Sequence, residues 1–366
     1  MKFTIKRETI LPLLQTTNAV VERRHTLPIL SNLLISLDKN TINVTGTDME
    51  VEIIASHEAS NGEISEFTVP GRKLLDICRA LPESAQLDFS IEKDHLVLKT
   101  GKSRFTLAML AAKDFPQTEI ASPLVDFEIE QGVFKSLMED TMFAMAQQDV
   151  RYYLNGLLLE LNGKTLRAVA TDGHRLAMKE IDQSVDISES VQIIIPRKGV
   201  IELVRLLEHS EDKARIQITR NHIRAKLNGI QFTSKLIDGK FPDYEKVLPK
   251  ETSTPLKADK NALKQSLTRA SILSNEKYRG VRIILKNNSL QALAHNPEQE
   301  EAEEELEVDY QGPEMEIGFN VTYLLDAINA VRTDSVLIAT KDPGESCLIL
   351  PDKETGCRYV VMPMRL

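Results

Sequence analysis

The chain lacks most of the features that assign a protein to a specialised class. Its three cysteines, Cys78, Cys347 and Cys357, are scattered and odd in number, which argues against a disulfide framework and suits reduced thiols. Their spacing matches no zinc site. No apolar run approaches the roughly 20 residues of a membrane-spanning helix. The opening stretch MKFTIKRETILPLLQ has no secretory apolar core, so a cytoplasmic protein is expected. Basic charge is not in excess: 45 Lys and Arg stand against 54 Asp and Glu, a net charge of −9, which at first argues against a polyanionic partner. Apart from an acidic run from Glu298 to Asp309, no segment is of low complexity. With 42% hydrophobic and 27% charged residues, the composition is that of an ordinary soluble globular protein.

What the chain does have is a repeat. The stretch Ala170-Thr171-Asp172-Gly173-His174-Arg175-Leu176 returns as Gly46-Thr47-Asp48-Met49-Glu50 and as Ala294-His295-Asn296-Pro297-Glu298, with Asp48, Asp172 and Asn296 spaced 124 residues apart. Before each copy lies an alternating apolar hairpin pattern, NLLISLDKNTINV, NGLLLELNGKTLRAV or GVRIILKNNSLQAL, with turn-compatible residues at its middle. Recurrence of one pattern at one spacing reads as one domain repeated three times. Each repeat is expected to hold two helices and about eight strands, an α+β pattern rather than an alternating βαβ one. Helices are expected over residues 6–24, 71–81, 131–147, 197–208, 259–273 and 320–332. Pro-containing linkers at 111–125 and 244–257 set expected domains of 1–122, 123–250 and 251–366.

The charge is unevenly placed. The six expected helices carry fifteen Lys and Arg against nine Asp and Glu, although the whole chain is acidic. A basic helical layer on an acidic body fits a phosphate-facing surface. It also fits solvated faces, because Lys and Arg are good helix formers. The count alone does not choose.

The segments QDVRYYLNG, TDGHRLA, PRKGVIELVRLL, SKLIDGKFPDY, HNPEQEEAEE and the terminal VVMPMRL resemble the bacterial DNA polymerase III β subunit family, the sliding clamps, and the similarity runs from one end of the chain to the other. The resemblance implies a head-to-tail homodimer of three-domain subunits. Six domains would close a ring around duplex DNA, with helices inside and antiparallel sheets outside. It further implies a non-catalytic processivity factor with no cofactor and no metal, opened by a separate ATP-driven clamp loader. DNA polymerases and repair proteins would be held through short peptides carrying Gln, Leu and Phe.

The resemblance also implies site residues. Arg24, Arg72, Gln148, Tyr152 and Tyr153 match positions that touch DNA, a role open to Arg and Gln through phosphates and to Tyr through sugars or bases. Read from the residues alone, Arg151-Tyr152-Tyr153 is a strand start with core aromatics. Lys73, Arg79, Arg197, Lys198, Arg205, Lys264 and Arg269 are further candidates for diffuse phosphate contact. The partner-peptide groove would be formed by Leu154, Thr171, Gly173, His174, Arg175, Leu176, Pro242, Val247, Asn320, Tyr323, Ser346, Val360, Met362, Pro363, Met364, Arg365 and Leu366. Apolar walls with adaptable Met residues and a polar rim suit a surface shared by several partners. The dimer interface would set Lys73, Lys102, Arg104, Phe105 and Leu107 against Ile272, Leu273, Glu298, Glu300, Glu301, Glu303 and Glu304 of a second copy, a heterologous contact that closes into a ring if the rotation permits. The acidic run read by itself is a solubilising loop.

Two other function classes fit parts of the sequence. A nuclease would use Asp48, Asp172 and His174 as metal ligands, but the third copy has Asn296 where Asp is wanted, and the paired carboxylates of two-metal chemistry are not supplied. His174 by itself reads as a structural histidine. A peptide-binding adaptor with no role on DNA is the third class.

Overall fold

The computed structural model describes residues 2–22, 26–59, 64–119, 121–187, 189–249, 254–353 and 355–365. The first repeat runs β1 (Lys2–Lys6), α1 (Arg7–Thr17), β2 (Asn32–Leu37), β3 (Thr41–Thr47), β4 (Val51–Glu58), β5 (Ser65–Pro70), α2 (Gly71–Ala80), β6 (Gln86–Glu92), β7 (His95–Thr100) and β8 (Ser103–Ala108). The second runs β9 (Val125–Glu130), α3 (Gln131–Glu139), β10 (Gly156–Leu161), β11 (Thr165–Thr171), β12 (Arg175–Asp182), β13 (Val191–Pro196), α4 (Arg197–Leu206), β14 (Lys213–Ile218), β15 (His222–Leu227) and β16 (Ile230–Lys235). The third runs β17 (Leu256–Asp259), α5 (Lys260–Ile272), β18 (Gly280–Lys286), β19 (Ser289–His295), β20 (Glu301–Glu307), β21 (Met315–Asn320), α6 (Val321–Ala330), β22 (Ser335–Ala339), β23 (Cys347–Pro351) and β24 (Cys357–Val361). Among the described residues, two helices and eight strands thus recur in each repeat. β2, β10 and β18 begin 124 residues apart, as do β3, β11 and β19.

The strands form antiparallel sheets, of which the two long ones join neighbouring repeats. One compact unit comprises Met1–Val133 with Ile201–Leu236. It holds the eight-stranded sheet β5-β2-β3-β4-β16-β15-β14-β9 and the four-stranded sheet β1-β6-β7-β8. The other comprises Phe134–Val200 with Ile237–Leu366. It holds β13-β10-β11-β12-β24-β23-β22-β17 and β20-β19-β18-β21. The central repeat is divided because β9, β14, β15 and β16 belong to one long sheet and β10, β11, β12 and β13 to the other. In each long sheet the joint is a pair of strands from two repeats, β4 with β16 or β12 with β24.

Alternation drives the strands: Leu33, Ile35 and Leu37 of β2 and Ile42 and Val44 of β3 enter the first core with Leu74, Leu75 and Cys78 of α2. These helix positions are three or four apart, one face of a helix. Asp259 and Asn320 cap α5 and α6, their side chains accepting from Ala262 N–H and from Thr322 and Tyr323 N–H, which satisfies donors a helix start leaves open. Burial pushes the Cys78 and Cys347 thiols up to about 12, so both stay protonated and unreactive.

Three expectations need correction. The first helix ends at Thr17 rather than at residue 24, because Thr17 Oγ1 donates to Leu13 O and Asn18 Nδ2 to Leu14 O, each at 2.8 Å. These side chains occupy the last helical carbonyls; residues 23–25 lie outside the described residues. The third helix ends at Glu139, not 147. Thr141 Oγ1 bonds Leu137 O, Asp140 turns to Lys179 and Arg332, and a 3₁₀ turn follows at Met142–Ala144. The acidic run is not a loop: β20 occupies it as a sheet edge, with Glu301, Glu303, Glu305 and Glu307 outward and Ala302, Glu304 and Leu306 half-buried. With the observed bounds the six helices carry eleven Lys and Arg against five Asp and Glu, so the basic excess of the helices persists.

Candidate partner groove and nucleic-acid interface

The turn between β11 and β12 is built by Asp172. Its Oδ1 accepts from His174 N–H at 2.9 Å and Arg175 N–H at 3.0 Å, while Thr171 Oγ1 donates to Arg175 O. Gly173 sits at φ +89°, and a Cβ there would lie 2.9 Å from Arg151 Nη2; only glycine serves both demands. Arg175 points inward. Its guanidinium donates to Asp172 Oδ2 at 3.0 Å, to Asp326 of α6 and to Phe143 O at 2.9 Å, and lies 4.5 Å from the Tyr323 ring centre. With this much of its charge satisfied it fixes α6 against the turn. His174 is exposed and stacks on Tyr323 at 6.2 Å and 20°. Burial, then the nearby Asp172 carboxylate, raises the Tyr323 hydroxyl above its ordinary value.

Beside this rim lies an apolar floor. Leu154, Val169, Leu176, Met178, Ile194, Phe241, Tyr244 and Val360 form one buried cluster, with Tyr153, Ile237, Val247, Leu248 and Leu348 packed at its margin. Its centre is the cross-strand pair Leu176–Val360 at the β12–β24 joint. Tyr244 is held by its hydroxyl, which donates to Glu160 Oε2 at 2.6 Å and accepts from Arg167. Burial and the Glu160 bond push that hydroxyl up to about 12. This anchoring brings Pro242, which is exposed, and Val247 alongside the floor. The tail crosses the same place: Met362 N–H donates to His174 O at 2.9 Å and Met364 N–H to Gly318 O at 2.8 Å. Met362 stays 37% exposed. Apolar anchors under a polar rim are the makings of a site for a short amphipathic peptide.

Family models cover nearly the whole chain: the DNA polymerase III beta subunit N-terminal domain at residues 1–119, its central domain at 128–243 and its C-terminal domain at 245–365. The chain belongs to the DNA polymerase III beta subunit family. The beta sliding clamps of Pseudomonas aeruginosa and Escherichia coli K12 are 49% and 48% identical to it, over 100% of each chain. The solved P. aeruginosa sliding clamp bound to griselimycin aligns with a TM-score of 0.96 at 49% identity over 100% of both chains.

Against this beta-subunit frame, the expected groove residues Leu154, Leu176, Val247 and Val360 share the floor. Thr171, Gly173, His174, Arg175 and Tyr323 share the rim, with Asn320 capping the helix that carries Tyr323. Ser346 precedes Cys347, which pairs with Val361, and so lies beside Met362. Pro363 is half-buried and Arg365 exposed; Leu366 lies outside the described residues. Gln148, Tyr152 and Tyr153 sit together on the loop before β10, Gln148 at φ +56° and the two rings 5.7 Å apart, edge to face. Tyr152 is 57% exposed, and Tyr152–Leu154 is a 3₁₀ turn rather than a strand start. Arg72 belongs to the other unit, exposed on α2 with one bond to Val21 O. Arg24 lies outside the described residues.

Among the interface candidates, Ile272 is 73% exposed while Leu107 is already 7% exposed within the first core. Arg269 forms a two-pronged pair with Glu304, so that cation is committed to a carboxylate rather than open to phosphate. The carboxylates of the nuclease reading serve as turn caps instead: Asp48 accepts from Glu50 and Val51 N–H, and Asp172 from His174 and Arg175 N–H. No group of three metal-ligating side chains occurs among the described residues. No helix there is long and apolar enough to cross a membrane.

Sequence reasoning missed Asp140, Arg151, Arg167 and Asp326. Asp140 is 4% exposed and bonds Lys179 Nζ at 2.6 Å and Arg332 at 2.7 Å. Arg332 reaches it across 192 positions, a separation no local pattern reports. The Asp-x-Arg spacing of Asp149 and Arg151 was the one local hint.

Proposed function

We infer that this chain acts as a sliding clamp: two copies close head to tail into a ring around duplex DNA and tether polymerases and other DNA-processing proteins to it, without catalysis, in the cytoplasm. The domains are taken as 1–122, 123–250 and 251–366. One observation carries the ring. Within the chain, the strand after each repeated turn pairs with the last strand of the next repeat, as β4 with β16 and β12 with β24. The same rule leaves β20 of the third repeat and β8 of the first as sheet edges. Edges of this kind invite pairing with another copy.

The register follows. Ile53 and Ala177 pair across the two joints with Phe232 and Tyr359. Inside their own repeats they pair with Gly46 and Ala170, whose third counterpart Ala294 pairs with Ala302. Ala302 would then oppose Phe105 of a second copy, which sets Glu303 against Arg104 and Glu305 against Lys102. Opposite charges directly across a ladder favour this pairing. Ile272 and Leu273 would be covered beside it. Replacing both by Ala should give folded monomers, since truncating a well-packed aliphatic costs roughly 2–5 kcal/mol. A double variant that still sediments as a dimer at submicromolar concentration argues against this edge.

The basic helical excess then faces the duplex in an otherwise acidic body, giving weak, salt-sensitive contact indifferent to sequence. Arg24, Arg72, Gln148, Tyr152 and Tyr153 would supply the nearest contacts, and the floor at Leu176 and Val360 would receive partner and loader peptides. Retention on DNA tests the reading. Protein loaded on closed circular DNA should stay bound and leave when the circle is cut. Equal retention on circular and linear DNA would contradict encirclement.

A further inference from the structure

The Arg151 guanidinium bridges the loop that carries Gln148 and Tyr152 and the turn that rims the peptide floor. Asp149 Oδ1 accepts from Arg151 N–H at 2.8 Å and Arg151 Nε at 3.0 Å, and Asp149 Oδ2 accepts from Arg151 Nη2 at 2.9 Å. Arg151 Nη2 also donates to Asp172 O at 3.2 Å. The guanidinium lies against Gly173, where no Cβ intrudes. The base of the loop is closed by Asn155, whose Oδ1 accepts from Asp149 N–H and whose Nδ2 donates to Asp149 O, both at 2.9 Å. Between these anchors Tyr152 faces solvent, Tyr153 packs at the margin of the floor, and Leu154 is part of it. Gln148 is held at a positive φ that a non-glycine residue adopts only under restraint.

We propose that Arg151 is a shared positioning residue, setting at once the loop that meets DNA and the turn that meets partner peptides. The proposal rests on both readings above and adds that one guanidinium fixes the two surfaces. The chemistry requires Arg. Its fork reaches both Asp149 oxygens and a carbonyl of the turn together, which a lysine ammonium on a flexible stem does not reproduce. The Arg151 bonds also hold the Asp149 carboxyl at about 2, so the clamp stays ionised at neutral pH. The alternative role is that of a surface cation attracting phosphate. The two roles give opposite results when Asp149 is changed, since loss of that carboxylate frees a cation but dismantles a clamp.

The experiment uses the full-length protein, a fluorescent Gln-led peptide with Leu and Phe, and a short linear duplex, titrated separately over a range of salt. Binding of the peptide to the unaltered protein tests the groove reading itself, and failure there removes the basis of this proposal too. With that binding in hand, Asp149→Asn, Arg151→Lys and Arg151→Ala should each weaken peptide and duplex binding about fivefold or more. The salt slope for the duplex should be unchanged, because no phosphate contact is lost. Dimerisation should persist. Asp149→Asn keeps the size of the residue it replaces and is the decisive variant. Tighter duplex binding by Asp149→Asn with unchanged peptide affinity would overturn the proposal. So would full retention of both activities by Arg151→Lys, or a fall of about one in the salt slope for Arg151→Ala.

Discussion

At the joint of β4 with β16, Glu52 faces Thr233; at the joint of β12 with β24, the corresponding pair is Leu176 and Val360. The backbones agree closely. Each joint is followed by the same bond, Lys235 N–H to Glu50 O in one and Met362 N–H to His174 O in the other, both at 2.9 Å. Each has a buried phenylalanine from the segment after the last strand of a repeat, Phe115 or Phe241. The side chains differ in what they need. Glu52 is 5% exposed, takes a bond from Thr118 N–H at 3.3 Å and has Arg224 nearby. Its own chain therefore serves it, and an apolar visitor would only strip away what solvation remains. Leu176 and Val360, 3% and 1% exposed, need no polar partner, and they belong to an apolar cluster whose half-buried margin at Tyr153, Val247 and Leu348 can still gain from being covered. One backbone joint thus carries a polar pair and the other an apolar pair, and the proposed function makes only the apolar one a docking site.

The joints differ also in how they are bolted. Asp140 lies between Lys179 and Arg332 at the second joint, with Glu139 also reaching Arg332. The largest expected effect comes from removing that carboxylate. Asp140→Ala leaves the buried Lys179 without its carboxylate while the half-exposed Arg332 is screened by water, and should destabilise the second unit by about 3 kcal/mol. Amide exchange should accelerate in β12 and β24 and stay unchanged in β4 and β16. Equal acceleration at both joints would mean the bolt is not local.

The next effect erases the difference itself. Leu176→Glu with Val360→Thr writes the first joint's pair into the second, and peptide affinity should fall about a hundredfold, roughly 2.7 kcal/mol. Fluorescence anisotropy with the double variant checks it; near-normal affinity would place the anchors elsewhere. Deleting Met362 to Leu366 should cost at least about tenfold, near 1.4 kcal/mol, by removing one wall and the strap to Gly318 while sparing the dimer. Calorimetry on the truncated protein reads this directly.

The repeat made much of this architecture legible. Hairpins at Asn32, Asn155 and Gly280, the helix with Leu74, Leu75 and Cys78 on one face, and the turn at Asp172 all announce themselves through local spacing. Helix ends were less readable. The stop at Thr17 depends on side chains returning to Leu13 and Leu14 carbonyls, and the stop at Glu139 on an aspartate drawn to cations far along the chain. β20 was hidden because seven consecutive residues with five glutamates look solvated until an edge position supplies water on one face and β19 supplies the other. The groove residues came from resemblance, and spacing alone gave no reason to separate Leu176 from Glu52. The clamp at Arg151 and the bolt at Asp140 are tertiary, so composition and period carry no trace of them.

The smallest effect sharpens the polar joint. Burial raises the Glu52 carboxyl above its ordinary value, while Thr118 and Arg224 lower it less. The folded protein therefore holds this proton more tightly than the unfolded chain. The contribution of Glu52 to stability is full below the ordinary carboxylate range and is lost as pH rises through its raised pKa. Glu52→Gln should flatten that dependence, so that exchange in β4 and β16 between about pH 4 and pH 7 changes less than in the unaltered protein. A variant that keeps the full dependence would assign it to another group.

The most direct measurement counts sites. A Gln-led peptide with Leu and Phe, titrated calorimetrically into the full-length protein, should saturate at one peptide per chain, and the Leu176→Glu, Val360→Thr variant should take up none at the same concentrations. Two peptides per chain would mean that the Glu52 joint docks partners as well, and a side-chain pair would then not decide which joint is a site.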